Sequence, residues 1–419
     1  MRLVRGVHDL VHDAAKTHYY IIEYARSWAQ RYGFSDIITP LLEYDTVFLR
    51  TLGDASDIVH KEMFKLEHKG EDPQKDVIVL RPEGTAPIMR TLLTTELQQN
   101  LPQKFFYAGP MFRYDRPQKG RQRQFYQFGI EILGVKSFWA EIGSIALAFD
   151  ILKGLNILDL TLEINTLGDS ASRKVYHEAL TKYFKDVYAR LSPESQERLS
   201  KNPLRILDSK SPQDQELIRQ APLLDDFLTS SAQDYFKELL DHLTHLNFPF
   251  TVNPRLVRGL DYYSHTVFEF TTSHLGAQST LLAGGRYDSL AQLMGHSTEI
   301  PAVGWAAGVE RLILLFNSSV LQSSISFALI SLSQDRDNDA FRWAQTLRSS
   351  GLILHFIPHG KTAQQFKTAT KLGASYGIIL GEDEYNTQTV TLKNFKTGDQ
   401  QKIPQESLCD ILKNLSSSR

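Results

Sequence analysis

Arg113, Arg258 and Arg311 each stand among apolar or aromatic neighbours, where a cation needs a reason. Arg113 opens the run RYDRPQKGRQR, in which Arg113, Arg116, Lys119, Arg121 and Arg123 face one acid, Asp115. Pro117 and Gly120 shape a turn within it. Charge runs are more often solvated hairpins than sites. Two neighbours weigh against that here: aromatic segments flank the run, and Phe125 and Tyr126 follow at once. Guanidinium groups grip phosphate in a fork and stack on aromatic rings, so the combination suits a nucleotide. Arg311 lies near the start of an apolar helix in PAVGWAAGVERLILLF. A partner carboxylate or a bound phosphate would satisfy it.

Arg258 heads the stretch RGLDYYSHTVFEF. Successive side chains of a strand alternate faces. Thr266, Phe268 and Phe270 then share one face, and His265, Val267 and Glu269 the other. If the strand already runs at the tyrosines, Tyr262 is in phase with the phenylalanines and joins an ordinary core. Tyr263 falls on the mixed face with His265 and Glu269. In RPEGT, residues 81–85, Glu83 and Thr85 sit just past a strand, where an inward carboxylate would bind an ammonium group. Taken alone, this stretch reads equally as a surface turn. LLAGGRYDSL offers adjacent Gly284 and Gly285 for close backbone approach, or for a plain β-turn.

Several chemistries are excluded. HGKT at 359–362 mimics the end of a P-loop, but position 355 is not the glycine that pattern needs. No GxGxxG follows a strand, and neither HExxH nor GxSxG occurs.

These residues need elements to place them. Residues 14–32 carry Ile21, Tyr24, Ala25, Trp28 and Tyr32 at helical spacing, and Gly33 is a natural stop. SDIITPLLEY is extended, and Pro40 suits an edge or interface. KFFYAGPMFRY and QFYQFGIEILG form two strands around the basic run, followed by a helix from about Ala140 to Leu155. The region is strand-rich and antiparallel, with helices outside it. Residues from about 170 to 246 are charged, helical and broken by prolines, and read as an insertion. After Phe316 comes a serine-rich connector, set at 321–325. From Ser326 onward strand and helix alternate, which predicts a small parallel α/β domain. The domain expectation is therefore 1–320, a linker, and 326–419.

The chain has 419 residues, 42% of them hydrophobic and 22% charged, enough for large cores without staples. Cys409 is the single cysteine, which rules out a disulfide framework or a cysteine-based zinc site within the chain. A net charge of -2 means that a nucleic-acid partner would have to use local basic patches. No apolar h-region opens the chain and no apolar run suffices to cross a bilayer. A cytoplasmic protein with no membrane partner is expected.

The combination and order of these stretches resemble the histidyl-tRNA synthetases, class II aminoacyl-tRNA synthetases, along essentially the whole chain. TPLLEY is similar to the first class motif, FRYDRPQKGRQRQF to the second and GVERL to the third. RGLDYYSHTVFEF and LLAGGRYDSL resemble stretches of the histidine enzyme, and LGASYGIILGEDE its anticodon-binding domain. The resemblance implies an α+β catalytic domain with an antiparallel sheet, a helical insertion, a C-terminal α/β anticodon-binding domain and a homodimer built on TPLLEY. It implies ligation of L-histidine to tRNA(His) through a histidyl-adenylate. ATP is then a substrate and Mg2+ is expected with it, without assigned protein ligands.

The resemblance also implies roles. Arg113 holds the α-phosphate and the substrate carboxylate, and Arg258 approaches the same phosphate from the other side, as a metal ion does in related enzymes. Arg311 holds the far phosphates. Phe125 stacks on adenine, with Asp115 and Arg121 also at the nucleotide. Glu83, Gly84, Thr85 and Gln127 take the ammonium end of histidine. Glu131 and Tyr263 take the imidazole nitrogens, with Tyr262 adjoining. A carboxylate and a phenol match the donor and acceptor of neutral imidazole. Arg116, Lys119 and Arg121 reach the tRNA acceptor end. Lys361, Lys367 and Lys371 either contact tRNA backbone or form a solvated helix face. Ser264, His265, Asp115, Gln122 and Trp305 depart from the usual family pattern, and none removes a charged catalytic group. Two alternatives remain: a non-catalytic regulatory paralogue of ATP phosphoribosyltransferase, and a synthetase of the same class for another amino acid.

Overall fold

The computed structural model describes residues 1–52, 61–66, 77–118, 120–258, 260–318, 321 and 325–417. Lys119 and residues 322–324 of the expected linker lie outside the described residues. The chain divides into two compact units, Met1–Ser318 and Ser319–Arg419.

The strands of the first unit are β1 (Ser35–Asp36), β2 (Leu42–Tyr44), β3 (Ile78–Leu80), β4 (Gln103–Phe112), β5 (Gln124–Leu133), β6 (Thr161–Thr166), β7 (Thr251–Val252), β8 (Ser264–Thr271), β9 (Thr280–Arg286) and β10 (Ala302–Gly308). Eight of them form one sheet in the order β1-β4-β5-β10-β9-β8-β6-β7. The six inner strands are antiparallel, and the short edge strands β1 and β7 pair in parallel. β2 and β3 form a separate ribbon.

Alternation along the strands gives the sheet two different faces. One carries Phe106, Phe128, Trp305, Phe268 and Phe270. The helix Trp139–Gly154 covers it: Phe149 meets Phe270 edge-on at 4.8 Å, and the Trp305 indole donates to the Ser144 carbonyl. That helix is buried on nearly every side, because the helices His12–Arg31 and Ser230–His245 flank it. Each large side chain buried there adds roughly 1.5–3 kcal/mol. The opposite face carries Tyr107, Gln127, Glu131, Val267 and Glu269, and on it the site is built.

Two short-range expectations fail at β8. The strand begins only at Ser264, so Tyr262 and Tyr263 precede it. A bulge then interrupts the pairing between Ser264 and Val267, with His265 at φ +47°. Alternation counted back from the phenylalanines therefore misplaces two residues, Tyr262 and His265, while Tyr263 stays on the face of Glu269. His265 leaves the face of Glu269 and lies 5.2 Å from the Tyr235 ring of the helix Ser230–His245. Tyr262 and Tyr263 both join the cluster around Tyr107, Val267 and Tyr287 on the site face.

Residues 170–246 are helical, with helices Ser170–Asp186, Pro193–Lys201, Pro212–Gln220 and Ser230–His245. Their own small core runs from Tyr176 to Leu224, whereas the helix Ser230–His245 packs back on the helix Trp139–Gly154.

In the second unit β11 (Ser326–Ser331), β12 (Ile353–Ile357), β13 (Tyr376–Leu380), β14 (Thr389–Asn394) and β15 (Gln400–Pro404) form one sheet in the order β12-β11-β13-β14-β15. The first three pair in parallel as expected; β14 and β15 run antiparallel, so the sheet is mixed. Few residues separate β14 from β15, and a parallel crossover needs a dozen or more.

Candidate active site

A cavity of about 910 Å³ opens on the site face of the first unit. Basic groups converge on it. Arg113, just past β4, donates from Nε to the Pro82 carbonyl at 2.9 Å, and its guanidinium lies 5.3 Å from the centre of the Phe125 ring. Arg258 pairs with Glu269 of β8 at 3.1 Å, and its buried Nε has no partner among the described residues. Arg311 comes from the helix Val309–Leu315 that follows β10, and donates to the carbonyls of Gly120 at 3.3 Å and Thr280 at 2.5 Å. Arg121 is ion-paired with Asp115. Burial and then the charges of Arg121 and Arg113 lower the Arg311 pKa, and Arg258 adds to the repulsion. Burial likewise lowers that of Arg113. Crowded, partly desolvated cations of this kind form an anion site.

Beside the arginines lies a smaller polar recess. Glu83 is buried, and its two oxygens accept the Thr85 and Ala86 amides at 2.7 and 2.8 Å, capping the helix Thr85–Thr94. Thr85 Oγ1 donates to Glu131 Oε1 at 2.6 Å, and the Tyr287 hydroxyl donates to Glu131 Oε2. Tyr107 Oη and Gln127 Oε1 are buried with no partner among the described residues. Glycines make the room. A Cβ on Gly304 would stand 1.8 Å from Glu131 Oε2, and one on Gly84 2.3 Å from the Tyr107 ring. Arg81 anchors this turn, donating to Thr39 and to the Pro110 carbonyl.

Most of the expected residues line this cavity. Around the arginines they are Arg113, Asp115, Arg121, Phe125, Arg258 and Arg311; in the recess they are Glu83, Thr85, Gln127, Tyr262 and Tyr263. Glu131 lies behind the wall, fully buried, with both oxygens accepting hydroxyls. Gly84 caps the helix start beside Tyr107 and does not line the cavity. Arg116 is exposed on the loop outside it, and Lys119 is outside the described residues. Sequence reasoning missed Tyr107, Tyr287, Glu269 and Glu310. The signal for the first two was a tyrosine hydroxyl needing a partner close to glycines, Gly109, Gly284 and Gly285.

Burial pushes three carboxyls upward: Glu131 to about 8, Glu310 to about 7, and Glu83 above its usual range. Each keeps its proton in the fold at a pH where the unfolded chain has lost it. Their stabilising contribution is thus present below the unfolded value of 4.5 and lost as pH rises through about 8. Glu131→Gln is expected to flatten the fall of Tm at the top of that window. Parallel Tm–pH curves for the variant and the unmodified protein would show Glu131 ionised in the fold.

Among the described residues no three metal-ligating side chains cluster. Glu269 is committed to Arg258 and Thr280, Asp115 to Arg121, and Glu310 to the Tyr126 amide. The cavity carboxylates are thus not arranged as a resident metal site.

Arginines from three separate segments converge over an antiparallel sheet, and a mixed-sheet unit follows in the chain, the arrangement expected of a class II aminoacyl-tRNA synthetase. A family model described as histidyl-tRNA synthetase matches residues 6–312, and one described as anticodon binding domain matches 326–415. The histidine–tRNA ligase of Gluconobacter oxydans is 46% identical over 409 residues, 97% of each chain. That of Rickettsia africae is 43% identical over 411 residues, 98% of each chain. Apo histidyl-tRNA synthetase of S. aureus superposes with a TM-score of 0.82 at 30% identity, covering 99% of this chain and 100% of that one. The chain belongs to the histidyl-tRNA synthetase family. Among its described residues no helix is long and apolar enough to cross a membrane.

Proposed function

We propose that the protein ligates L-histidine to tRNA(His) at the expense of ATP. The observation that carries this is the convergence of Arg113, Arg258 and Arg311 on one cavity beside a recess with unsatisfied polar atoms. In the first step the histidine carboxylate attacks the α-phosphorus of ATP and pyrophosphate leaves. In the second the terminal ribose hydroxyl of the tRNA attacks the carbonyl carbon of the adenylate and AMP leaves. No covalent enzyme intermediate is needed; the enzyme positions the reactants and stabilises charge at phosphorus.

Arg113 and Arg258 grip the α-phosphate from two sides, and Arg311 takes the far phosphates. Phe125 stacks on adenine under the Arg113 guanidinium, beside Asp115 and Arg121. Glu83, Thr85 and Gln127 take the histidine ammonium. Glu131 accepts one imidazole N–H, since each carboxylate oxygen keeps a second lone pair, and Tyr263 meets the other nitrogen with Tyr262 beside it. A recess built around both ring nitrogens rejects apolar side chains, which would leave its groups unpaired. Mg2+ enters with the ATP phosphates. Arg116, Lys119 and Arg121 face the acceptor end, and Lys361, Lys367 and Lys371, on an exposed face of the helix Thr362–Lys371 and at its start, follow tRNA backbone. Ile38, 92% exposed, with Leu41, Leu42 and Tyr44 forms an apolar strip beside Pro40 that suits a homodimer interface. The working compartment is the cytoplasm.

The test is ATP–pyrophosphate exchange with each standard amino acid in turn and no tRNA. Exchange with histidine alone is expected. Histidine binding without any exchange would favour the regulatory paralogue instead.

A further inference from the structure

The segment carrying Arg258, Tyr262 and Tyr263 is tied to the inserted helices as much as to the sheet. Arg255 donates to the carbonyls of Arg219, Ala221 and Pro222, where the helix Pro212–Gln220 ends. Val257 packs into the insertion's core, while Leu256 and Leu260 pack with the tyrosines of the recess. Asp261 then makes three links to the insertion. Its Oδ1 accepts Arg205 Nε at 3.0 Å and Asn202 Nδ2 at 3.1 Å, and its carbonyl accepts Arg173 at 3.1 Å. The Arg205–Asp261 pair is largely screened from water, at 12% and 21% exposure. Beyond the tyrosines, the His265 bulge bonds the backbone where the chain enters the insertion: its amide donates to Gly168 at 2.9 Å, and its carbonyl accepts the Leu167 amide at 2.6 Å.

We infer that Asp261 is a positioning residue through which the inserted helices hold Arg258 and both tyrosines at the reacting centre. Asp261 lies three residues from Arg258 and adjoins Tyr262. The Arg205, Asn202 and Arg173 side chains reach the site only through this segment in the contacts described. The insertion is therefore part of the histidine site, and whatever shifts it shifts the reacting groups. Small misplacements of such groups are costly, because orientation supplies much of the rate.

The inference rests on the histidine-activating reading above, and the test separates the two. Histidine-dependent pyrophosphate exchange and equilibrium ATP binding are measured for the unmodified protein, Arg205→Ala, Asp261→Asn and the double variant, each with its Tm. Asn202→Ala serves as a second insertion-side variant in case Arg205→Ala does not fold. Arg205→Ala is expected to lower kcat/KM for histidine by about 10- to 100-fold. ATP affinity should change less than about twofold, because Phe125, Arg113 and Arg311 lie on other elements. The double variant should be no worse than the poorer single one, the mark of residues acting as one unit. Unaltered exchange in folded Arg205→Ala, losses that multiply in the double variant, or a loss that tracks Tm would overturn the inference. Lack of exchange in the unmodified protein would overturn the functional reading and the inference with it.

Discussion

An Arg258→Ala variant is expected to form histidyl-adenylate about 100- to 1,000-fold more slowly, the scale of losing one preorganised donor at a developing charge. Arg258 has the features such a donor needs. It is partly buried, aligned by Glu269 at 3.1 Å, and retains a buried Nε with no partner among the described residues. The fold should survive. Its one ion pair is to Glu269, which also accepts from Thr280, so Tm should fall by only a few degrees. Pyrophosphate exchange with saturating histidine and ATP reads the effect. Arg258→Lys keeps the charge but not the fork, and should recover only part of the loss. Near-normal exchange in Arg258→Ala would remove this residue from the reaction.

The second large effect is expected at Glu131. Glu131→Ala takes away a buried acceptor and leaves the hydroxyls of Thr85 and Tyr287 without it. Losses of this kind run to about 1.5–3 kcal/mol, or roughly 10- to 150-fold, and should fall on histidine. ATP binding should move by no more than about twofold, since Glu131 lies in the recess and not among the arginines. Separate titrations of the two substrates decide the matter. Equal losses for both would mean that Glu131 supports the whole site and does not select the amino acid.

The cations were the most legible part of the site. Arg113, Arg258 and Arg311 interrupt apolar runs, and desolvation makes such residues costly enough to stand out in sequence. The long strands β4 and β5 and the helix Trp139–Gly154 were legible for a similar reason, since their apolar residues are dense. The phase of Tyr262 and His265 was not. A bulge residue at positive φ breaks the alternation counted through it, and histidine gives little sign of that conformation in advance. β14 and β15 escaped because they are short and largely polar: only Val390, Leu392 and Ile403 are buried in them. Nor could spacing show that Asp261 joins Arg205 and Asn202, which are 56 and 59 residues away.

The glycine opposite Glu131 limits what this enzyme can become. A methyl group at Gly304 would overlap the carboxylate, and the ring of Tyr107 fills the space against Gly84 and Gly129. At those three glycines there is no side chain left to trim. Drift toward a bulkier amino acid, or engineering for enlarged histidine analogues, cannot proceed by shaving that side. It has to remake the tyrosine wall at Tyr107 and Tyr263. Those rings also stand beside Glu131, the carboxyl proposed to meet imidazole, so on that reading widening the recess loosens its discrimination at the same stroke.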